Sequence, residues 1–293
     1  MKRLFVQLRS GLGNQLFQFS CAYYFASKYD YELFLAPAYY DSSFKRFFKR
    51  LAGREVREFM LPKVLSKRYA VLSKRELDRI ILNKEFFPLN EEKILHPEFV
   101  KYFLSGQDIF LSGYWQRFVF VNEYLGELKK LIIPQFNLSK NFIDWFQSIT
   151  INHVAIHIRR GDFLTNKAFG ACTKAYYLNS IERIKSFISS PVFVVVTNDV
   201  AWVSENLKEY PFSFFVANAG RYSDLEEFFL LSSFHTIIIS NSTFSWWSAV
   251  LGDANDKRVF CPSNWFLKDA LQERVADLIP PGWNIIPNDL EIY

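Results

Sequence analysis

The chain has 293 residues, half of them hydrophobic and 18% aromatic, which supports a large buried core and excludes a disordered chain. A formal net charge of +5 is mildly basic; with no recognised nucleic-acid motif beside it, nucleic acid is not an expected partner, whereas anionic small substrates or an anionic membrane surface suit it. Cys21, Cys172 and Cys261 are few, odd in number and far apart, so neither a disulfide framework nor a zinc site is indicated and a reducing, cytoplasmic setting is expected.

In chain order, the basic start Met1-Lys2-Arg3 leads an apolar run too short for a secretory signal. No stretch approaches the roughly 18 apolar residues of a spanning helix, so only peripheral contact with a membrane is open. Residues 3 to 8 predict a strand. Ser10-Gly11-Leu12-Gly13-Asn14 follows as a turn whose glycines let backbone approach a ligand or another element. Leu16, Phe17, Phe19, Ala22, Tyr23 and Ala26 repeat at helical spacing from Asn14 to about Lys28, and Glu32 to Leu35 predicts a second strand. Such a strand–glycine loop–helix unit can aim N–H groups at phosphate, or can be a tight connection without a ligand. It is not the G-x-G-x-x-G fingerprint of dinucleotide sites.

Residues 40 to 100 read as helical and irregular. Residues 45 to 79 are rich in Lys and Arg, with Phe44, Phe47, Phe48 and Phe59 in or beside them. A solvated basic face is the first expectation there, and anchoring to an anionic leaflet the second. Residues 109 to 116 predict a short strand ending in Tyr114, Trp115 and Gln116, which can stack on sugar faces and bond their hydroxyls, or can fill a core. One helix is predicted from about Asn122 to Leu131, and Ser139 as the cap of another reaching Ile149.

The second half alternates strand and helix. Strands are predicted at Val154 to Ile158, Val192 to Val196, around Phe214, at Thr236 to Ser240 and at Val259-Phe260. Helices are predicted from about Lys174 to Ile188, near Ala201 to Leu207, and from a Ser223-Asp224-Leu225-Glu226 capping box to about Phe234. This pattern predicts a parallel, doubly wound sheet. With a βαβ start in each half, the expected organisation is two α/β domains, residues 1–150 and 151–293, facing a central cleft.

Three predicted strand ends carry polar groups: His157-Ile158-Arg159-Arg160-Gly161-Asp162, Asn198-Asp199, and Asn241-Ser242-Thr243-Phe244-Ser245. In a parallel sheet all three reach the same edge, where ligands bind. Paired arginines match the oxygens of a diphosphate, and hydroxyls and N–H groups at a helix start cradle them. A carboxylate such as Asp199 can accept two N–H bonds from a guanine edge. The carboxylate of Asp162 can hold a guanidinium or take a proton. A strand-end Arg/Asp salt bridge with no ligand is the competing interpretation.

The stretches Ser10 to Phe19 (SGLGNQLFQF), Leu111 to Gln116 (LSGYWQ), His157 to Phe163 (HIRRGDF), Val196 to Glu205 and Ser240 to Ala249 (SNSTFSWWSA) together resemble the bacterial α-1,2-fucosyltransferases, glycosyltransferase family 11. The resemblance runs nearly end to end, including Asp277-Leu278-Ile279-Pro280. It implies a GT-B fold of two Rossmann-like domains, GDP-β-L-fucose as donor, inversion at the anomeric carbon, and no cofactor or metal. No Asp-x-Asp occurs in the chain. It further implies that Arg159 binds the β-phosphate, that Arg160 supports it or orders the loop, and that His157 donates near the nucleotide. Asn198 and Asp199 fall at the base, Asn241 to Ser245 at the phosphates, and Asn14 faces the donor across the cleft. Tyr114, Trp115 and Gln116 are the acceptor candidates. A Glu used by the more distant α-1,6 enzymes is replaced here by Lys167, and Ser10 stands where the family usually has Gly. The implied acceptor is a galactose-type glycan of a surface polysaccharide, lipid-linked, at the cytoplasmic face of the inner membrane. The rival expectations are a different GDP-deoxysugar donor and a non-catalytic nucleotide or anionic-surface binder.

Overall fold

A computed structural model of the chain describes residues 2–37, 40, 57–83, 86–94, 97–132, 138–149, 153–210, 212–217, 222–252 and 256–293. Phe44, Phe47, Phe48 and much of the expected basic face lie outside them. The chain forms two compact units, Met1–Gln135 and Phe136–Tyr293. The division precedes the expected boundary near residue 150 because the helix Lys140–Gln147 packs with the second unit. Ser139 caps it through Phe142 N, and its own N–H donates to Glu226 Oε1 at 2.8 Å. The Phe142 ring meets Tyr222 edge-on at 5.3 Å.

The first unit holds strands β1 (Arg3–Gln7), β2 (Glu32–Ala36), β3 (Ala70–Val71), β4 (Phe87–Asn90) and β5 (Ile109–Ser112). They form one parallel sheet in the order β3-β2-β1-β5-β4. Leu4, Phe5, Val6, Ile109 and Leu111 are buried on its two central strands, the continuous apolar pattern that a doubly covered sheet requires. Helix α1 (Leu12–Tyr29) starts two residues before the predicted Asn14 and buries Leu16, Phe17, Phe19 and Phe25. Asp30 ends it in the left-handed region. The one helix predicted over 122–131 is two, Val119–Asn122 and Leu125–Ile132, parted where the Tyr124 ring turns to meet Tyr23 at 5.7 Å.

The second unit holds β6 (His153–Ile158), β7 (Ala171–Cys172), β8 (Val192–Thr197), β9 (Phe212–Ala217), β10 (Thr236–Ile238), β11 (Arg258–Pro262), β12 (Asn284–Ile286) and β13 (Leu290–Glu291). Six of these form a parallel sheet in the order β12-β11-β10-β6-β8-β9, while β13 pairs antiparallel with β7. Val154, Ile156, Phe193, Val195, Ile238 and Phe260 make its interior with Tyr176, Tyr177 and Ile181 of the helix Lys174–Lys185. Each sheet therefore reverses its strand order once, at β1/β5 in the first unit and at β6/β10 in the second. Outside the carboxyl ends of such a pair the connecting segments diverge and leave a crevice, the place where ligands bind in open α/β sheets.

Candidate functional site

The β6/β10 crevice collects most of the predicted residues. His157, at the end of β6, puts Nδ1 2.9 Å from Ser240 Oγ, just past β10. The ring is buried and stands 5.8 Å from that of Phe244. Lost hydration, and then the charge of Arg159, push its pKa down to about 3, so the imidazole is neutral near pH 7. A neutral ring offers one donor and one acceptor, and Ser240 engages one of them.

The two arginines after β6 have different surroundings. Arg160 is 3% exposed; Nε bonds Asp199 at 3.2 Å, Nη1 meets Glu291 of β13, and the guanidinium lies 4.3 Å over the Trp202 ring. Such a charge is fully engaged by the protein. Arg159 is 15% exposed and meets Asp162 Oδ1 through Nε at 2.9 Å and Nη2 at 2.8 Å. Asp162 is itself exposed and belongs to the short helix Gly161–Leu164. Of the pair, Arg159 is the more exposed, and Asp162 is the group that orients it.

Asn198 and Asp199 also serve the loop. Asn198 Oδ1 accepts from Arg160 N at 2.9 Å. Gly161 has φ +24°, and a Cβ there would stand 2.4 Å from Asn198 Nδ2, so the loop requires glycine. Asp199 caps the helix Val200–Asn206 by accepting from Trp202 N at 3.0 Å while it holds Arg160. Each carboxylate oxygen has one protein partner, Trp202 N or Arg160 Nε, which leaves acceptor capacity on the part-exposed Asp199.

Asn241 to Ser245 open the helix Thr243–Leu251. Asn241 is buried, donating to Gly170 O and Trp265 O at 3.0 Å each and accepting from the Cys172 thiol at 3.5 Å. It bolts loops together rather than facing outward. Ser242 caps the helix through Phe244 N, and Ser245 Oγ donates to Ser242 O at 3.2 Å. Thr243 and Phe244 are half-buried at the helix start, where N–H groups and the helix dipole favour an anion.

Sequence reasoning missed Glu227. It lies on the helix Asp224–Ser232, whose start follows β9 and so faces the same sheet edge. Glu226 completes the capping box; Glu227, its neighbour, is buried with Oε1 lacking a hydrogen-bond partner. Burial first, and then Asp224, push its pKa up to about 8, while Arg159 pulls the other way. The unsatisfied oxygen is itself buried, so Glu227 is a strongly perturbed carboxyl within electrostatic reach of Arg159 rather than one facing solvent. The available signal was a second glutamate after the capping box, among Phe228, Leu230 and Leu231.

In the first unit, Gln116 Nε2 donates to Asn14 Oδ1 at 2.6 Å, and Asn14 Nδ2 donates to Ser10 Oγ at 3.1 Å. Ser10 itself has φ +73°, where glycine is easier by about 1 kcal/mol. Its carbonyl accepts from Tyr40 Oη at 2.6 Å and Gln15 Nε2 at 3.0 Å, contacts that hold the turn. Tyr114 is 39% exposed. Trp115 is 1% exposed at φ +57°, so the turn swings it into the core and away from any acceptor. Lys167 is exposed. Among the described residues, no group of three or more His, Cys, Asp or Glu is placed to share a metal ion, and no helix is long and apolar enough to cross a membrane.

Known proteins resemble the chain throughout. The family described as Glycosyl transferase family 11 matches residues 3–287. The Escherichia coli protein named alpha-1,2-colitosyltransferase is 28% identical, covering 97% of this chain and 98% of its own length. The Escherichia coli O-antigen biosynthesis glycosyltransferase WbnK is 27% identical over 88% of this chain and 93% of its own. A solved structure of a mutant Arabidopsis thaliana FUT1 in complex with GDP superposes with a TM-score of 0.52 at 13% identity, over 86% of this chain and 69% of that one. That likeness speaks for the fold, a GT-B-like α/β architecture.

Proposed function

The chain belongs to glycosyl transferase family 11, and from that premise we propose that it moves L-fucose from GDP-β-L-fucose to the 2-hydroxyl of a galactose-type acceptor during surface-polysaccharide assembly. The single observation that carries the reading is Arg159: a part-exposed guanidinium at the end of β6, oriented by Asp162 at the sheet edge where the helix Thr243–Leu251 also starts. Arg159 and that helix start receive the charge that develops on the β-phosphate as GDP departs, the interaction that grows in the transition state. His157, neutral, hydrogen-bonds near the nucleotide. Glu227 takes the guanine-reading role first given to Asp199, accepting N–H bonds as a carboxylate. Asp162 orients Arg159. Thr243 and Ser245 support the phosphates. Asn14 faces the donor, and Tyr114 and Gln116 serve the acceptor, which is lipid-linked and met at the cytoplasmic face of the inner membrane. Transfer proceeds with inversion and without a metal.

A second donor has specific support: a relative is named alpha-1,2-colitosyltransferase, a transferase of colitose, so a GDP-linked colitose is the alternative to GDP-fucose. The test is incubation with each donor and an array of galactose-terminated glycans, with products read by mass and linkage. Fucose on a galactose 2-hydroxyl supports the proposal. Transfer of colitose alone replaces the donor, and GDP release at background with every acceptor overturns the enzymatic reading.

A further inference from the structure

The first unit has its own reversal of strand order, at β1/β5, and a cation stands in it. Arg9 follows β1 by two residues and Tyr114 follows β5 by two. The Arg9 guanidinium lies 4.4 Å over the Tyr114 ring. Gln18 clamps the two strand ends together, accepting from Arg9 N at 3.0 Å and donating to Gly113 O at 3.2 Å. Arg9 Nε is buried with no hydrogen-bond partner, and no ion pair includes Arg9 among the described residues. Glu91, the carboxylate of this corner, is turned to the backbone N–H groups of Tyr114 and Trp115. Arg57 adds positive charge: its Nη1 lies 3.5 Å from where a Cβ on Gly11 would stand.

A half-buried guanidinium that is in no ion pair is costly to keep, and its planar fork matches a carboxylate or a phosphate. A crevice at a strand-order reversal is where a ligand enters such a sheet. We propose that the β1/β5 crevice is an anion-recognising acceptor subsite: the acceptor glycan bears a carboxylate or a phosphate that Arg9 reads, while the exposed Tyr114 packs on the adjoining sugar. Its assignment to the acceptor rests on the transferase reading above, whereas the charge selectivity does not.

Three galactose-terminated oligosaccharides test it: one neutral, one carrying a hexuronic acid, and one carried on a 1-diphosphate. Direct calorimetric binding to the full chain is measured beside kcat/KM, in wild type, Arg9→Gln and Arg9→Lys. Wild type should bind at least one anionic ligand about 10- to 100-fold more tightly than the neutral one, the range of a charge-assisted bond. Arg9→Gln should bring that ratio close to one, and Arg9→Lys should restore part of it. Which of the two anionic ligands is preferred identifies the group as acidic sugar or diphosphate. Equal binding of all three by wild type overturns the subsite, as does an Arg9→Gln effect confined to KM for the GDP-sugar. Selective binding without turnover would keep the anion site and reject the transferase; turnover on the neutral glycan without charge selectivity would do the reverse.

Discussion

Arg160 and Glu291 are 131 positions apart and form an ion pair whose arginine is buried between β13, Asp199 and the Trp202 ring. The pair joins the final strand to the loop that carries Arg159. Glu291→Gln removes one of two counter-charges from a guanidinium that cannot reach water. Breaking a fully buried pair costs about 3–5 kcal/mol; Glu291 is itself part-exposed, so about 1–3 kcal/mol is expected. Urea denaturation should show a lower midpoint at unchanged slope, and KM for the donor should rise.

Arg159→Ala should lower kcat by about a hundredfold or more, the size of one charge-stabilising contact near 3 kcal/mol. Arg159→Lys should recover only part, because an ammonium lacks the planar fork that meets Asp162 through two nitrogens. Near-normal turnover by the alanine variant would remove Arg159 from the reaction. Single-turnover rates at saturating donor separate this from weakened binding.

If Glu227 meets guanine as proposed, GDP binding should depend on pH. In the free protein the carboxyl keeps its proton up to about pH 8, and guanine N–H groups require the carboxylate. GDP affinity should therefore rise with pH up to about 8 and then level, with close to one proton released per nucleotide near pH 7. Calorimetry in buffers of different ionisation enthalpy measures that proton. Glu227→Gln should flatten the profile and weaken binding. Stability of the free chain runs the other way: the folded pKa lies above the ordinary 4.5, so this group's contribution is full below 4.5 and is lost as pH rises through about 8.

Gly161→Ala should destabilise by about 1–3 kcal/mol, since the backbone has φ +24° and the new methyl meets Asn198. In an Asn198→Ala background the methyl meets less, so the two changes should cost less together than their sum. A thermal-melt double-mutant cycle reads this; strict additivity would show that the loop simply moves aside.

Much of this architecture is legible in residue order. Val192 to Val196 is too apolar to be anything but a strand covered on both faces, and Ser223-x-x-Glu226 marks a helix start that the structure shows with both capping bonds. The strands β3 and β4 were hidden, the first by its two-residue length and the second by Pro88, tolerated because β4 is an edge. Residue pattern also brought His157, Arg159 and the start of the helix at Thr243 to one sheet edge. By itself that pattern did not separate Arg159 from Arg160, which only the family resemblance did, because the partner that buries Arg160 lies at the far end of the chain. Nor did it separate Asp199 from Glu227: both are carboxylates near strand ends, and only packing shows that one is engaged and the other is not. Trp115 looked like a sugar platform until its backbone dihedral turned it inward.

The two halves of the chain each close a sheet around a separate apolar interior. Heat can therefore melt them one at a time, and a scanning calorimeter should record two endotherms rather than one. Nucleotide would then lift the peak of the second half first, and an anionic glycan that of the first, so a pair of melting curves would assign each ligand to its half without a single turnover.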